Sequence, residues 1–359
     1  MTDATPPHEP VGARFREFQA HLDRPDGQPR GRGRGRGHDG EQLTVPPADF
    51  SSYYGRPILK APVWKRDIAG YLFTGGLAAG GALIGAGAQL TGRPALRRVG
   101  RWTALGGTVA SAYLLVHDLG RPERFHHMLR VAKLTSPMSV GTWILTVFGP
   151  VAGVAAVAEL GPRLPQHGVL GLARRLAPSV GDVAGLAAAA TAPALATYTG
   201  VLLADTAVPA WHDAYPFLPF VFGGSALAAA AGVGLIAAPA AETVPLRRLA
   251  VAGAAIKLVG GHRMERLRIT GEPYRHGHSG RLVRAGNVLL GVGAVAALLG
   301  RRSRALSVFA GAALLASSVA TRFGIFEAGT VSARDPRYTV VPQRERLAEH
   351  GPTVADGRR

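Results

Sequence analysis

Two apolar segments of the chain, residues 102–116 and 140–160, are joined by the polar stretch His117-Asp118-Leu119-Gly120-Arg121-Pro122-Glu123-Arg124-Phe125-His126-His127-Met128-Leu129 and the following Ser136-Pro137-Met138-Ser139. Charged residues are common at a bilayer surface, but a dense mixture of His, Asp, Glu and Arg between two long apolar segments indicates a site. The rest of the chain is therefore interpreted as a scaffold that holds this connection at one face of a membrane.

The composition predicts a membrane protein. Apolar residues make up 47% of the 359 residues and charged residues 18%, and the charges are concentrated between nearly uncharged runs. A helix needs roughly 20 apolar residues to cross the hydrocarbon, and its backbone groups must be hydrogen-bonded within the segment. We therefore predict an all-α, polytopic fold with about eight transmembrane helices, closely packed through the 48 glycines and many alanines. The predicted spans lie near 68–90, 102–117, 138–160, 180–204, 217–239, 245–261, 283–299 and 304–323.

Polar segments flank the predicted membrane domain, which covers residues 61–326. Residues 1–60 are rich in Arg, Gly and Pro, with an Arg-Gly run at 30–37, and are predicted to be a disordered tail. Residues 327–359 form a polar C-terminal tail. Eleven basic residues before Asp67 and six after Arg322 favour cytoplasmic termini in a plasma-membrane protein.

The charge and the cysteine count exclude several functions. A formal net charge of +18 would favour nucleic acid as the partner of a soluble protein. Here the arginines fall in tails and loops, where lipid headgroups account for them, so we expect a lipid membrane and no nucleic acid as partner. With no cysteine, the chain holds no Cys-ligated iron–sulfur cluster. His126 and His127 are adjacent in a loop, which does not suit haem ligation, and no metal site is expected.

Polar residues within the spans are expected to gather at the face that carries the connection. Asp67 opens the first span and Tyr71 follows one helical turn later on the same face; Tyr198 and Asp205 share a face of the fourth span. Apolar walls, two hydrogen-bonding groups and a proton-exchanging carboxylate or imidazole would suit a quinone. In this interpretation Asp67 and His117 are the catalytic proton exchangers, and Tyr71 or Tyr198 meets a carbonyl. The predicted quinone-binding residues are Asp67, Tyr71, His117, Asp118, Arg121, Tyr198 and Asp205.

The charged residues of the connection have a simpler interpretation. Asp118, Arg121 and Arg124 could pair only with one another and fix the loop, in which case they would take no part in chemistry.

A different class of function is also open. Asp67, Asp205 and Lys257 could form the relay of an ion- or proton-translocating transporter, because Gly-rich broken helices are typical of such proteins. Lys257, within the sixth span, could instead pair with a buried carboxylate or extend toward the nearer surface. The chain could also be a plain membrane anchor without a quinone site.

Three motifs resemble the membrane-subunit family of polysulfide reductases, also called NrfD-like. They are residues 117–125 with 136–139 and Trp143, residues 71–80 (Tyr-Leu-Phe-Thr-Gly-Gly-Leu-Ala-Ala-Gly), and residues 198–203 (Tyr-Thr-Gly-Val-Leu-Leu). Together they cover the first four spans in the expected order. At positions that are often Asn and His in polysulfide reductase itself, this chain has Asp67 and Tyr71.

The resemblance implies two four-helix bundles in the membrane anchor of a respiratory molybdopterin oxidoreductase. Such a subunit binds menaquinone or ubiquinone, lacks haem, and exchanges electrons with a ferredoxin-like iron–sulfur subunit that serves a molybdopterin catalytic subunit. Arg124, His126 and His127 are then the expected partner-docking residues.

A weaker match suggests an internal repeat. Gly261-His262-Arg263-Met264-Glu265-Arg266-Leu267 follows the sixth span much as residues 117–129 follow the second. Duplication of a four-helix unit would explain this match, and so would a chance basic flank.

Overall fold

The computed structural model describes residues 57–350. The predicted N-terminal tail up to residue 56 and the last nine residues of the predicted C-terminal tail lie outside the described residues. Within the described part every regular element is helical. The α-helices are α1 (Arg66–Leu90), α2 (Pro94–Asp118), α3 (Pro137–Ala158), α4 (Gly168–Ala204), α5 (Pro209–Asp213), α6 (Leu218–Ala237), α7 (Val244–Glu265), α8 (Glu272–Arg275), α9 (Gly277–Leu299), α10 (Arg304–Arg334) and α11 (Arg337–His350).

Eight of these helices have 20 or more residues, and each overlaps one of the eight predicted spans. Six are long and apolar enough to cross a bilayer, namely α1, α3, α4, α6, α9 and α10. The all-helical, multi-pass fold is therefore confirmed. Because α2 and α7 carry several charged residues, the count of eight spans stays a prediction.

Two helices extend well beyond their predicted spans. Helix α4 begins at Gly168 rather than near residue 180, and α10 continues to Arg334 rather than ending near 323. In α4 the extra turns include Arg174, whose Nη1 donates to the carbonyl oxygens of Pro162 and Leu164 at 2.7 and 2.9 Å. Charge marks the end of an apolar run but does not end a helix, so hydropathy alone made both predicted spans too short.

The long helices form two bundles of four, as predicted. In the first, α1 packs against α2 and α4, and α3 packs against the same two helices; in the second, α6 and α9 each pack against α7 and α10. Helix α6 contacts α1 and α4 where the bundles meet, and α10 contacts α1. Each half repeats the same order of contacts; any up-down bundle of four helices would show this order, so the duplication stays a prediction.

Glycine allows the backbones within each bundle to come together. A Cβ on Gly100 would lie 2.4 Å from the backbone nitrogen of Gly85, and one on Gly253 would lie 2.7 Å from the carbonyl oxygen of Gly224. Real Cβ contacts are never this short, so the α1–α2 and α6–α7 crossings both require a residue without a side chain.

The connection from α4 to α6 is held by a buried tryptophan. The Nε1 of Trp211 donates to the carbonyl oxygen of Ile325 at 2.8 Å, and its ring stacks on Trp64 with centroids 5.9 Å apart. A Cβ on Gly329 would lie only 1.9 Å from the Trp211 ring. Trp211 thus joins the segment before α1, the loop after α4 and helix α10 at one end of the molecule.

Candidate functional site

The polar connection contains a 3-10 helix, Pro122–Leu129, followed by an irregular segment that is tied to the start of α3. Ser136 caps α3 by accepting from the backbone nitrogen of Ser139 at 3.5 Å. The Ser139 hydroxyl and the Trp143 indole both donate to the carbonyl oxygen of Val131, at 2.9 and 3.2 Å. We call the end of the molecule that carries this connection the 117–139 face; α1 and α3 begin there, and α2 and α4 end there.

Asp67 and His117 meet directly at this face. The His117 Nδ1 is hydrogen-bonded to Asp67 Oδ2 at 3.2 Å, and the Tyr113 ring stacks on the imidazole with centroids 5.7 Å apart. An acid in the first turn of α1 and a histidine in the last turn of α2 are each placed favourably by the helix dipoles. The imidazole is 58% exposed, so the pair is oriented by the protein and open to solvent.

Tyr71 lies one turn further into α1 and is buried. It belongs to an apolar cluster with Ile68, Leu203 and Phe222, and its hydroxyl has no hydrogen-bond partner among the described residues. A buried polar group without a partner costs about 1–3 kcal/mol, so the hydroxyl marks a position where a ligand or an ordered water belongs.

Tyr198 reaches the same apolar cluster from α4. Its ring packs on Gly141 so closely that a Cβ there would lie 2.1 Å from Tyr198 Cε2. The ring borders both the cluster around Tyr71 and the core of the first bundle. Tyr71 is a member of this cluster and Tyr198 packs against it.

The remaining predicted site residues lie at the surface. Asp118 accepts from the backbone nitrogen of Lys65 at 3.1 Å, which ties the end of α2 to the segment before α1. Arg121 and Asp205 are exposed. Asp118, Arg121 and Arg124 form no ion pair with one another in the described structure, so mutual pairing does not account for these residues.

The predicted docking residues Arg124, His126 and His127 are exposed on the 3-10 helix. The two imidazole rings are in edge contact, with centroids 4.4 Å apart. No group of three or more His, Asp or Glu residues in the range 57–350 is arranged to hold a metal ion.

An apolar groove opens beside Trp64, between the segment before α1 and the loop after α4. Its volume is about 460 Å3, and its lining includes Lys60, Val63, Trp64, Thr206 and Val208. Thr206, which lines the groove, directly follows Asp205 in the sequence. Val208 also lines the groove and belongs to the cluster that contains Tyr71, so the groove adjoins that cluster.

Sequence reasoning missed Arg322, a cation buried where the bundles meet. Its Nη2 donates to the carbonyl oxygen of Phe222 at 2.8 Å, and its guanidinium lies 3.8 Å from the centroid of that ring. Nε and Nη1 have no partner among the described residues. A Cβ on Gly76 would lie 2.9 Å from Nη2, so the guanidinium packs closely against α1. The signal in the sequence was a lone arginine near the end of a long uncharged run.

Lys257 is buried and belongs to a polar chain in the second bundle. Its Nζ donates to Asn287 Oδ1 at 2.5 Å, and Asn287 Nδ2 donates to Glu265 Oε1 at 3.1 Å. The expected carboxylate partner is therefore reached through an amide, and Lys257 contacts neither Asp67 nor Asp205.

A second buried arginine lies at the opposite end of the first bundle. Arg101 donates to Glu159, Asp182 and Gln89 at 2.9, 2.7 and 2.9 Å, and Arg97 also binds Glu159 at 2.8 Å. This network joins all four helices of the bundle and explains why α2 carries arginines inside a predicted membrane domain.

Comparison with known proteins identifies one family. The model of the family described as "Polysulphide reductase, NrfD" matches residues 58–250, which is more than half of the chain and runs from the segment before α1 into α7. No curated protein sequence matches the chain.

Proposed function

The chain belongs to the polysulphide reductase NrfD family, and we propose that it binds quinone or quinol at the 117–139 face. Membership makes it a multi-pass membrane subunit of an oxidoreductase of the polysulfide-reductase type. The proposal adds that the complex is a respiratory molybdopterin enzyme of the plasma membrane, that this subunit exchanges electrons with an iron–sulfur subunit, and that both termini are cytoplasmic.

The observation that supports the proposal best is the buried, unpartnered hydroxyl of Tyr71, one helical turn from the Asp67–His117 pair. A quinone carbonyl needs a hydrogen-bond donor inside an apolar site, whereas its protons must be exchanged near water. Tyr71 offers the first and the half-exposed pair offers the second.

The residues present fit menaquinone or ubiquinone. When bound, a quinone supplies two-electron, two-proton redox chemistry. Tyr71 would hold one carbonyl through its free hydroxyl, and the Tyr198 ring would contribute to the apolar wall. The groove beside Trp64 provides further apolar surface at the same face.

The Asp67–His117 pair would hold and release the protons. With Nδ1 bonded to the carboxylate, the imidazole has a fixed orientation and its Nε2 is left to exchange a proton. Exposure of the ring would let the proton leave to solvent. Asp118 would position this pair, because its bond to the Lys65 backbone fixes the start of α1 against the end of α2. Arg121 and Asp205 would line the rim of the site.

The exposed basic side chains of the 3-10 helix are proposed to dock the iron–sulfur subunit. Arg124, His126 and His127 make no ion pair within the described structure, so the Arg124 charge is free to meet an acidic surface and the two imidazoles are free to hydrogen-bond with it. The chain has no cysteine with which to hold a cluster, and electrons would pass to a partner that holds one.

The Lys257–Asn287–Glu265 chain supports a second candidate function, proton translocation. It connects a buried amine with a carboxylate at the end of α7, on the side of the 117–139 face. In vesicles that hold the purified complex, Lys257→Met should abolish proton uptake coupled to quinol oxidation and leave quinol turnover in detergent unchanged. Unchanged proton uptake in that variant would count against this function.

Quinol-dependent reduction by the purified complex tests the main proposal. Asp67→Asn and His117→Ala should each lower turnover by about 10²–10⁴-fold, the usual contribution of a positioned acid or base. Glu123→Gln, a change of one charge on the same connection, serves as the control and should retain activity. Full activity in both site variants would overturn the assignment of Asp67 and His117, and a chain purified without any bound quinone would favour the plain anchor.

A further inference from the structure

A set of large apolar side chains is exposed where the polar connection enters α3. Leu134 is 91% exposed, and Val131 and Met138 are also exposed, with Trp143 at their edge. The outer side of α3 continues this apolar stripe through Val147 and Val154. The stripe faces lipid in a membrane protein, so its first turn lies at the depth of the headgroups, where tryptophan is enriched.

The segment is held in a defined shape. Val131 accepts from both Ser139 and Trp143, and the backbone nitrogen of Lys133 donates to the Ser139 hydroxyl at 3.0 Å. These three hydrogen bonds fix the backbone of residues 131–133 against α3. The exposed side chains of this segment are therefore held in defined positions.

Two cations flank these apolar residues. Arg130 and Lys133 are exposed, and neither has an ion-pair partner among residues 57–350. The first turn of α3 begins beside them at Pro137, and the positive end of a helix dipole adds to their field. Together these residues form a patch of apolar side chains with two positive charges that no described carboxylate neutralises. Water alone does not solvate the apolar part of this patch favourably.

We propose that this patch binds an anionic phospholipid, with the headgroup phosphate between Arg130 and Lys133 and the acyl chains against the exposed apolar residues. We call it the 130–143 surface; its members are Arg130, Val131, Lys133, Leu134, Met138 and Trp143. The surface begins at Arg130, directly after the 3-10 helix, but none of its members is a predicted quinone-binding residue, so the inference does not depend on the proposed quinone site.

A lipid fits this surface better than a protein partner does. An acidic protein would satisfy the two cations, but it would leave the apolar stripe that continues down α3 without a matching surface below the headgroups. A lipid supplies an anion and a hydrocarbon chain in one molecule, in the same vertical order as the cations and the apolar residues.

The chain contains no cysteine, which allows a single label at Ala132→Cys, an exposed position inside the surface. The full chain carrying bimane at this cysteine is reconstituted in vesicles of phosphatidylcholine and phosphatidylglycerol at equal amounts. In one preparation the brominated quencher is on phosphatidylglycerol, and in the other it is on phosphatidylcholine. The ratio of quenching reports which headgroup is enriched beside the label.

We expect brominated phosphatidylglycerol to quench several-fold more than brominated phosphatidylcholine at low salt, with up to about five-fold enrichment from each cation. The preference should disappear in the double variant Arg130→Gln/Lys133→Gln. The matched control Arg163→Gln/Arg175→Gln removes two exposed charges from the opposite face and should leave it unchanged.

Equal quenching by both lipids would overturn the proposal, as would a preference that survives in the Arg130→Gln/Lys133→Gln variant. A label that neither lipid quenches would show that the surface is covered by protein, and that result would also overturn the proposal.

Discussion

Replacing the buried Arg322 by methionine should leave the free energy of unfolding unchanged or raise it. The wild-type side chain makes one hydrogen bond, to the Phe222 carbonyl, and one cation–π contact with the same ring. Losing the hydrogen bond costs about 1.5–3 kcal/mol, and losing the cation–π contact costs up to about 2 kcal/mol. Phe222 lies inside α6, so its carbonyl keeps the helical hydrogen bond and no acceptor is orphaned.

The stabilisation gained by removing the Arg322 side chain is as large as these losses or larger. Two of its nitrogen atoms are buried without partners, at about 1–3 kcal/mol each, and the buried charge itself carries a desolvation penalty of several kcal/mol. Methionine fills the same volume with an apolar, flexible chain. The expected change in the free energy of unfolding of Arg322→Met therefore lies between zero and an increase of a few kcal/mol.

The same substitution at Arg101 should have the opposite result. Arg101 binds Glu159, Asp182 and Gln89, and Glu159 is buried. Removing one partner of a buried ion pair costs about 3–5 kcal/mol. Because Arg97 still binds Glu159 after the substitution, we expect a loss at the lower end of this range, about 3 kcal/mol.

Unfolding of the purified chain by denaturant in mixed micelles measures both variants, and each free energy is obtained by linear extrapolation. Arg322→Lys is the informative control, because it keeps the charge without the planar guanidinium and should be less stable than Arg322→Met. A loss of more than about 3 kcal/mol in Arg322→Met, with wild-type stability in Arg322→Lys, would refute the reasoning, since the charge itself would then be stabilising.

Two further predictions concern packing and pH. Gly141→Ala would place a Cβ 2.1 Å from the Tyr198 ring and should cost about 1–3 kcal/mol by overpacking, measured in the same unfolding assay; Gly291→Ala, with nothing within 4 Å, should be neutral or slightly stabilising, and an equal loss in both would contradict the contact. Burial, and then the negative charge of Asp213, raise the pKa of Tyr274, so the unfolded chain releases this proton first and stability should fall as the pH rises above about 10. Thermal unfolding between pH 8 and 11 should show a weaker decline in Tyr274→Phe, and an identical decline would rule out this residue as a source.

The positions of the helices could be predicted from the sequence because hydropathy and helix length are both local properties. Predictions failed at the start of α4 and at the end of α10, where arginines interrupt the apolar pattern while the backbone continues as a helix. The bundle arrangement required more than hydropathy and followed from the resemblance to a family.

Part of the site could be predicted for a similar reason. Asp67 lies in the first turn of α1 and His117 in the last turn of α2. Because successive spans run in opposite directions, these two turns lie at the same face. The burial of Arg322 and the link from Lys257 through Asn287 to Glu265 depend on how two bundles pack across one another. That packing has no periodic signal in the sequence, and a single arginine or asparagine in an apolar run does not reveal its partners.

The most direct test of the central claim is equilibrium binding of a menaquinone or ubiquinone analogue to the purified full chain in detergent. The wild-type chain should bind the analogue. Tyr71→Phe, which removes only the unpartnered hydroxyl, should weaken binding by roughly 5–10-fold, the worth of a neutral hydrogen bond. Tyr215→Phe, at an exposed tyrosine, should bind as the wild type does. No binding to the wild-type chain, or equal affinity in both variants, would contradict a quinone site at Tyr71.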